Sequence, residues 1–138
     1  MPYQIVTDSC CNLTEALIDE LELEILPLTF MVDGVQHQSY LKGKTTDLKQ
    51  FYTMMREGKV ITTSLPNLEN AQESFTEAFE EGYDILYLGF SSGLSGTYEA
   101  MASELESVQA CYPDRKAVSV DTRAASMGEG LLVYYAAQ

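Results

Sequence analysis

Residues 83–100 read "YDILYLGFSSGLSGTYEA". The first eight, 83–90, form a continuous apolar run of strand length, the pattern of a strand in a sheet covered on both faces. A hydroxyl- and glycine-rich turn follows at 91–96, and the helical pattern "TYEAMASELESVQAC" begins at Thr97. A buried strand that feeds a polar turn and then a helix is the unit of an α/β domain with a mainly parallel sheet and helices on both faces. In such sheets ligands sit beyond the carboxyl ends of the strands, where loops enter helices.

The rest of the chain repeats the alternation. "YQIVT" (3–7) reads as a strand, and "DSCCNLT" after it is turn chemistry, because Asp8, Ser9 and Asn12 can bond their own backbone. Thr14 caps a helix with Leu17, Ile18 and Leu21 on one face. "EILPLTFMV" (24–32) reads as one second strand, with Pro27 marking a sheet edge or bulge, and 32–35 as a tight hairpin turn. Asp47 caps a helix through Arg56 that Gly58 ends. "KVITTSLP" is extended as far as Pro66, and Asn67 caps a helix closed by Gly82. "KAVSVD" (116–121) is a short buried strand, and the last segment becomes a helix with Leu131, Leu132, Tyr134 and Tyr135 on its apolar face. That helix shows no stop signal, so the sequence predicts one lobe of a larger protein, 1–138 being a single α/β unit.

Composition narrows the function. Eight basic against 21 acidic residues give a net charge of −13, which repels nucleic acid and anionic membrane surfaces. No apolar run reaches the roughly 18 residues that cross a bilayer, and "MPYQIVTDSC" is no signal peptide. The expectation is a soluble cytoplasmic protein. Cys10, Cys11 and Cys111 are an odd set with no C-x-x-C pair, and they read as reduced thiols rather than disulfides or zinc ligands. No metal or cofactor is expected.

The turn at 91–97 carries two signals. Gly89-Phe90-Ser91-Ser92-Gly93 fits the G-x-S-x-G elbow of a serine hydrolase, with Ser91 as nucleophile. That chemistry needs a histidine base, which follows the serine in α/β-hydrolases. The single histidine, His37, precedes it and reads as an exposed residue beside a hairpin. The other signal is an anion site. Ser91, Ser92, Ser95 and Thr97 supply hydroxyls, while Gly93 and Gly96 let the backbone turn sharply and approach a ligand closely. The helix start adds open N–H groups. Neither the P-loop nor the dinucleotide-binding glycine spacing is present. Taken alone, the residues leave helix capping and ligand binding evenly matched. An interaction module without ligand is a third possibility.

The chain resembles the N-terminal lobe of the DegV family. The segments that carry the resemblance occur in order: "IVTDSCCNLT", "ILPLTFMVDG", "TTSLPN", "SSGLSGTYEA" and "VSVDTRAASMGEGLLV". Asn67 stands where the family's third segment has serine. The resemblance implies a non-catalytic protein that binds a long-chain fatty acid such as palmitate. It also implies that the acid is presented to a separate ATP-dependent fatty acid kinase subunit, which phosphorylates the carboxylate. Carried onto this chain, it places Thr63 and Ser95 on the carboxylate. Ser64, Ser92, Gly96 and Thr97 would line the same pocket, with Asp8 and Ser9 at its rim. The family's second, C-terminal lobe supplies further contacts, including a histidine. Met31, Met54, Met55, Met101 and Met127, with Phe30, Phe51, Phe75, Phe79 and Phe90, offer apolar surface for the tail, although helical spacing makes most of them core.

Overall fold

The computed structural model describes residues 2–44 and 47–138. Four strands form a parallel sheet: β1 (Tyr3–Asp8), β2 (Glu24–Leu26), β6 (Asp84–Gly89) and β7 (Ala117–Asp121), in the order β2-β1-β6-β7. Side chains alternate across it as a strand requires. Val6, Leu26, Ile85 and Tyr87 point to one face, where they meet α3 (Leu68–Glu80) and α4 (Thr97–Gln109). Ile5, Ile25 and Leu88 point to the other, under α1 (Glu15–Glu20) and α5 (Met127–Ala137). Phe75, Phe79, Tyr87, Met101 and Leu105 are essentially inaccessible to water. Each such side chain contributes on the order of 1.5–3 kcal/mol. This is the α/β architecture the sequence predicts, with helices on both faces of the parallel sheet.

The second strand differs from the expectation. The stretch 24–32 is not one strand but two, β2 and β3 (Thr29–Val32), parted at Pro27. Proline cannot donate to a ladder, and beyond it the Leu28 N–H donates to Ser9 Oγ at 3.0 Å instead of to a strand. The chain leaves the parallel sheet there and builds a second, antiparallel one in the order β4-β3-β5, with β4 (Val35–Gln38) and β5 (Ile61–Ser64) flanking β3. The predicted hairpin turn joins β3 to β4, and both central residues, Asp33 (φ 48°) and Gly34 (φ 85°), are left-handed, as a turn matched to strand twist requires. Helix α2 (Leu48–Arg56) lies against this sheet, Phe51 meeting Phe30 edge-on at 5.4 Å between ring centres.

A second difference concerns β7. It is a sheet edge, and its outward residues Val118 and Val120 are 56% and 40% exposed rather than buried. The helix caps fall where the sequence places them: Thr14, Asp47 and Asn67 accept from the amides of Leu17, Gln50 and Asn70.

Helix α5 is seated on the short 3-10 turn Ser9–Cys11 that follows β1. Contact is so close at Gly130 that a Cβ there would lie 2.4 Å from the Cys11 carbonyl oxygen and 3.0 Å from Leu13 Cδ2. Backbone cannot yield as a flexible side chain can. Gly130→Ala is therefore expected to destabilise the fold by about 1–3 kcal/mol, seen as a lower urea midpoint with an unchanged slope.

Candidate functional site

Three polar turns gather at the carboxyl end of the parallel sheet, and one side chain ties two of them together. Asp8, the last residue of β1, is fully buried. Its carboxylate accepts the Cys10 N–H at 3.0 Å and the Phe90 N–H at 2.8 Å. The first bond shapes the 3-10 turn that presents Ser9. The second holds the start of the 91–97 turn. Burial pushes the Asp8 carboxyl up from its ordinary range, while the Phe90 amide, the Glu129 side chain and the Cys10 amide pull the other way. Expected on the rim, Asp8 instead lies beneath it, because an extended strand end leaves two amides for an acceptor to satisfy.

Beside the Ser9 turn, that turn, the antiparallel sheet and α2 line an open cleft of about 270 Å³. Ser9, Thr29, Ser39 and Thr63 give it hydroxyls, and Phe30 and Phe51 give it apolar wall. None of its lining residues is charged. Thr63 is placed by the antiparallel ladder, opposite Phe30. It is exposed, and its hydroxyl has no side-chain partner among the described residues. Ser64, one residue on, is hydrogen-bonded to Thr29 through their hydroxyls. Ser9 Oγ contacts Ser39 Oγ at 2.6 Å.

The 91–97 turn holds the other expected residues. Ser95 Oγ lies 2.9 Å from Thr97 Oγ1 and accepts the Thr97 N–H at 3.2 Å. Ser92 donates to Asp121, whose carboxyl this hydroxyl, the first cause, and the Arg123 amide hold below its ordinary range. The Ser92 proton is thus committed to Asp121. Neither Gly93 nor Gly96 has a positive φ, so the sharp turn expected of them is not what glycine supplies here. Gly96 precedes α4 with open space around it. The glycine that the packing requires is Gly89, where a Cβ would sit 2.7 Å from the Tyr87 hydroxyl and 2.9 Å from the Tyr98 ring.

The hydrolase constellation does not assemble. Ser91 is buried, and its Oγ accepts the Gly93 N–H at 3.2 Å. His37 is exposed on β4, stacked on Phe30 at 5.2 Å, and no hydrogen bond among the described residues joins it to Ser91. Burial, the first cause, raises the Cys10 thiol to about 12 and the Cys11 thiol to about 11, so neither is a thiolate nucleophile at neutral pH. The described residues contain no cluster of His, Cys, Asp and Glu able to hold a metal ion, and no helix long and apolar enough to cross a membrane.

Sequence reasoning missed Thr29, Ser39 and Glu129. No local pattern marks Thr29 or Ser39; pairing within the second sheet brings them to the cleft. Phe30 and Phe51 alone, of the methionines and phenylalanines offered as tail surface, line the cleft, whereas Phe75, Phe79 and Met101 are core.

An uncharged, hydroxyl-bearing cleft against the antiparallel sheet is the candidate site of this α/β lobe. The chain belongs to the DegV family, whose model, described as an uncharacterised protein, matches residues 2–138. A DegV domain-containing protein of Clostridium perfringens is 40% identical over 136 residues, 99% of this chain and 46% of that protein. Among solved structures, a DegV family protein from Thermus thermophilus, described as binding fatty acid, is 31% identical with a TM-score of 0.82, covering 99% of this chain and 46% of that one. A stearic acid-binding protein from Eubacterium ventriosum is 23% identical with a TM-score of 0.87, covering 98% of this chain and 46% of that one, and shares the fold. The chain spans about half the length of the relatives it matches.

Removing the Asp8 carboxylate leaves the Cys10 and Phe90 amides buried without an acceptor. Asp8→Ala is expected to cost about 2–4 kcal/mol of stability, and hydrogen exchange should show faster exchange at both amides.

Proposed function

We propose that this chain forms one wall of a long-chain fatty-acid site, with Thr63 and Ser95 donating to the carboxylate. The observation that carries this reading is the cleft that Thr63 lines, with hydroxyls and aromatic rings and no charged side chain; Ser95, in the 91–97 turn, is not among its lining residues, and its part rests on the family resemblance. The Thermus thermophilus relative, fatty-acid-binding by description, supports the ligand class. Ser95 Oγ accepts from the Thr97 N–H. Either hydroxyl of the Ser95–Thr97 pair can donate; with Thr97 as the donor, the Ser95 proton is left for a ligand. Thr63 supplies a second unengaged donor. Ser9, Ser64, Gly96 and Thr97 set the surroundings, and Ser92 acts through Asp121.

Neutral donors suffice because the tail drives binding. Burying a methylene gains about 0.8 kcal/mol, so the roughly 14 methylenes of palmitate gain on the order of 11 kcal/mol before ordering costs. The head group needs only its desolvation compensated. A cleft of about 270 Å³ is small beside the roughly 300–1,000 Å³ typical of ligand sites. The remaining wall we assign to a second lobe within the other half of the relatives' length. A carboxylate held by hydroxyls rather than by an Arg or Lys clamp stays open to an incoming phosphoryl group. On that ground we assign the protein a non-catalytic role: it presents the acid to a separate ATP-dependent kinase subunit.

Hydrogen bonds to charged groups contribute about 1.5–3 kcal/mol, so Thr63→Val and Ser95→Ala should each weaken palmitate binding by about ten- to a hundredfold without lowering the melting temperature. Calorimetry on delipidated protein measures this, and unchanged affinity in both variants defeats the site. For the presenting role, hydroxylamine should trap an acyl hydroxamate only when ATP and the candidate kinase subunit are both present. A hydroxamate formed from this protein and ATP alone would overturn the non-catalytic assignment.

A further inference from the structure

Four hydroxyl-bearing residues line the cleft: Ser9, Thr29, Ser39 and Thr63. A hydroxyl has one proton to give and two lone pairs to accept with. Thr29 and Ser64 are hydrogen-bonded to each other, and Thr29 also reaches the Leu65 carbonyl at 3.3 Å, so both protons of that pair are engaged. Ser9 and Ser39 differ. Ser9 Oγ accepts the Leu28 N–H at 3.0 Å and stands 2.6 Å from Ser39 Oγ. If Ser39 donates, both lone pairs of Ser9 are filled and the Ser9 proton is left over. If Ser9 donates, the Ser39 proton is left over. In either case one proton of the pair has no acceptor among the described residues. The pair is also held in place, because the Ser39 N–H donates to the Leu28 carbonyl at 2.8 Å while the Leu28 N–H donates to Ser9.

Ser9 and Ser39 are half-buried, and a ligand that fills the cleft takes the remaining water from them. A donor covered by methylenes loses its bond to water and gains none, which is unfavourable. The part of the ligand beside the pair must therefore accept. Thr63, whose hydroxyl has no side-chain partner, makes the same demand from β5. We propose that the Ser9–Ser39 pair is a head-group donor: its unspent proton bonds the carboxylate that Thr63 also meets, so the acid group rather than the tail lies against the 3-10 turn. The inference rests on the fatty-acid reading and adds a donor to it. A carboxylate accepts at about four lone-pair sites, enough for the pair together with Thr63 and Ser95.

Delipidated protein carrying both Ser9→Ala and Ser39→Ala should bind palmitate about ten- to a hundredfold more weakly than wild type. Affinity alone does not separate a donor from a residue that only shapes the turn. The bound acid does, because a donor to a carboxylate favours its charged form and lowers its pKa. With palmitate labelled with 13C at the carboxyl, the bound acid should titrate about one pH unit higher in the double variant than in wild type. Titration at the same pH in both proteins overturns the proposal, whatever the affinity. The cleft's own groups do not confuse the measurement. Burial, the first cause, raises the Cys10 thiol to about 12, and His37, stacked on Phe30, is common to both proteins.

Ser9→Ala also takes the acceptor from the Leu28 N–H. Should the double variant fail to fold, Ser39→Asp decides, since it leaves the Ser9–Leu28 bond in place. Its carboxylate accepts the Ser9 proton and puts a like charge beside the head group, so bound palmitate should titrate about one pH unit or more above wild type. An acid group beyond the screening length of about 10 Å would feel little of that charge, and an unmoved titration overturns the pair's role. Palmitate that fails to bind wild type removes the fatty-acid reading and this donor with it. Palmitate that binds wild type, with a titration that neither variant moves, removes the donor alone.

Discussion

The Asp8 carboxylate is the constraint on which the polar end of this fold depends. β1 and β6 lie side by side, and each ends in a turn whose first amides have no partner in the ladder. One carboxylate accepts from both, through Cys10 and Phe90. Two loops that are 82 residues apart in the chain are thereby fixed to a common point, and each loop's hydroxyls inherit that fixed position. The arrangement requires a buried anion, and burial of an anion without a cation is costly. The Cys10 and Phe90 amides offset part of that cost.

The absence of cations from the cleft has a physical consequence. With a net charge of −13, the protein repels free anions at long range, so an anionic ligand is not drawn in by field. Such a ligand has to bring its own driving force. An acyl tail does, through the methylenes it removes from water, and Phe30 and Phe51 are placed to receive apolar surface. In the proposed site, hydroxyls set where the head group stops rather than how tightly the molecule is held. On that proposal, the division of labour between tail and head group lets a site be made from serine and threonine alone.

Much of the fold was legible from periodicity and caps. The run at 83–90 alternates between the two cores of a doubly covered sheet, and Thr14, Asp47 and Asn67 are local signals read through local hydrogen bonds. Pro27 was visible too, but its effect was not. A proline marks a break in a ladder without saying where the chain goes next, and here it goes to a second sheet that puts Thr63 beside Phe30. Gly93 and Gly96 drew attention as turn formers, yet the packing demand falls on Gly89 and Gly130, where neighbouring atoms leave no room for a Cβ. Composition cannot distinguish a glycine that bends from a glycine that makes space.

By itself the sequence determined most of the order of strands and helices, the break at Pro27 apart, and with it the caps and the hydroxyl-rich turns, because each depends on residues within a few positions of one another. Tertiary structure alone decided which hydroxyls share a cleft, that Asp8 is buried beneath the turns it ties, and that Glu129 is buried against Thr7. Those relations join residues as many as 122 positions apart, as Thr7 and Glu129 are. A hydrogen bond at that separation depends on how a sheet and a helix pack, which no local pattern encodes.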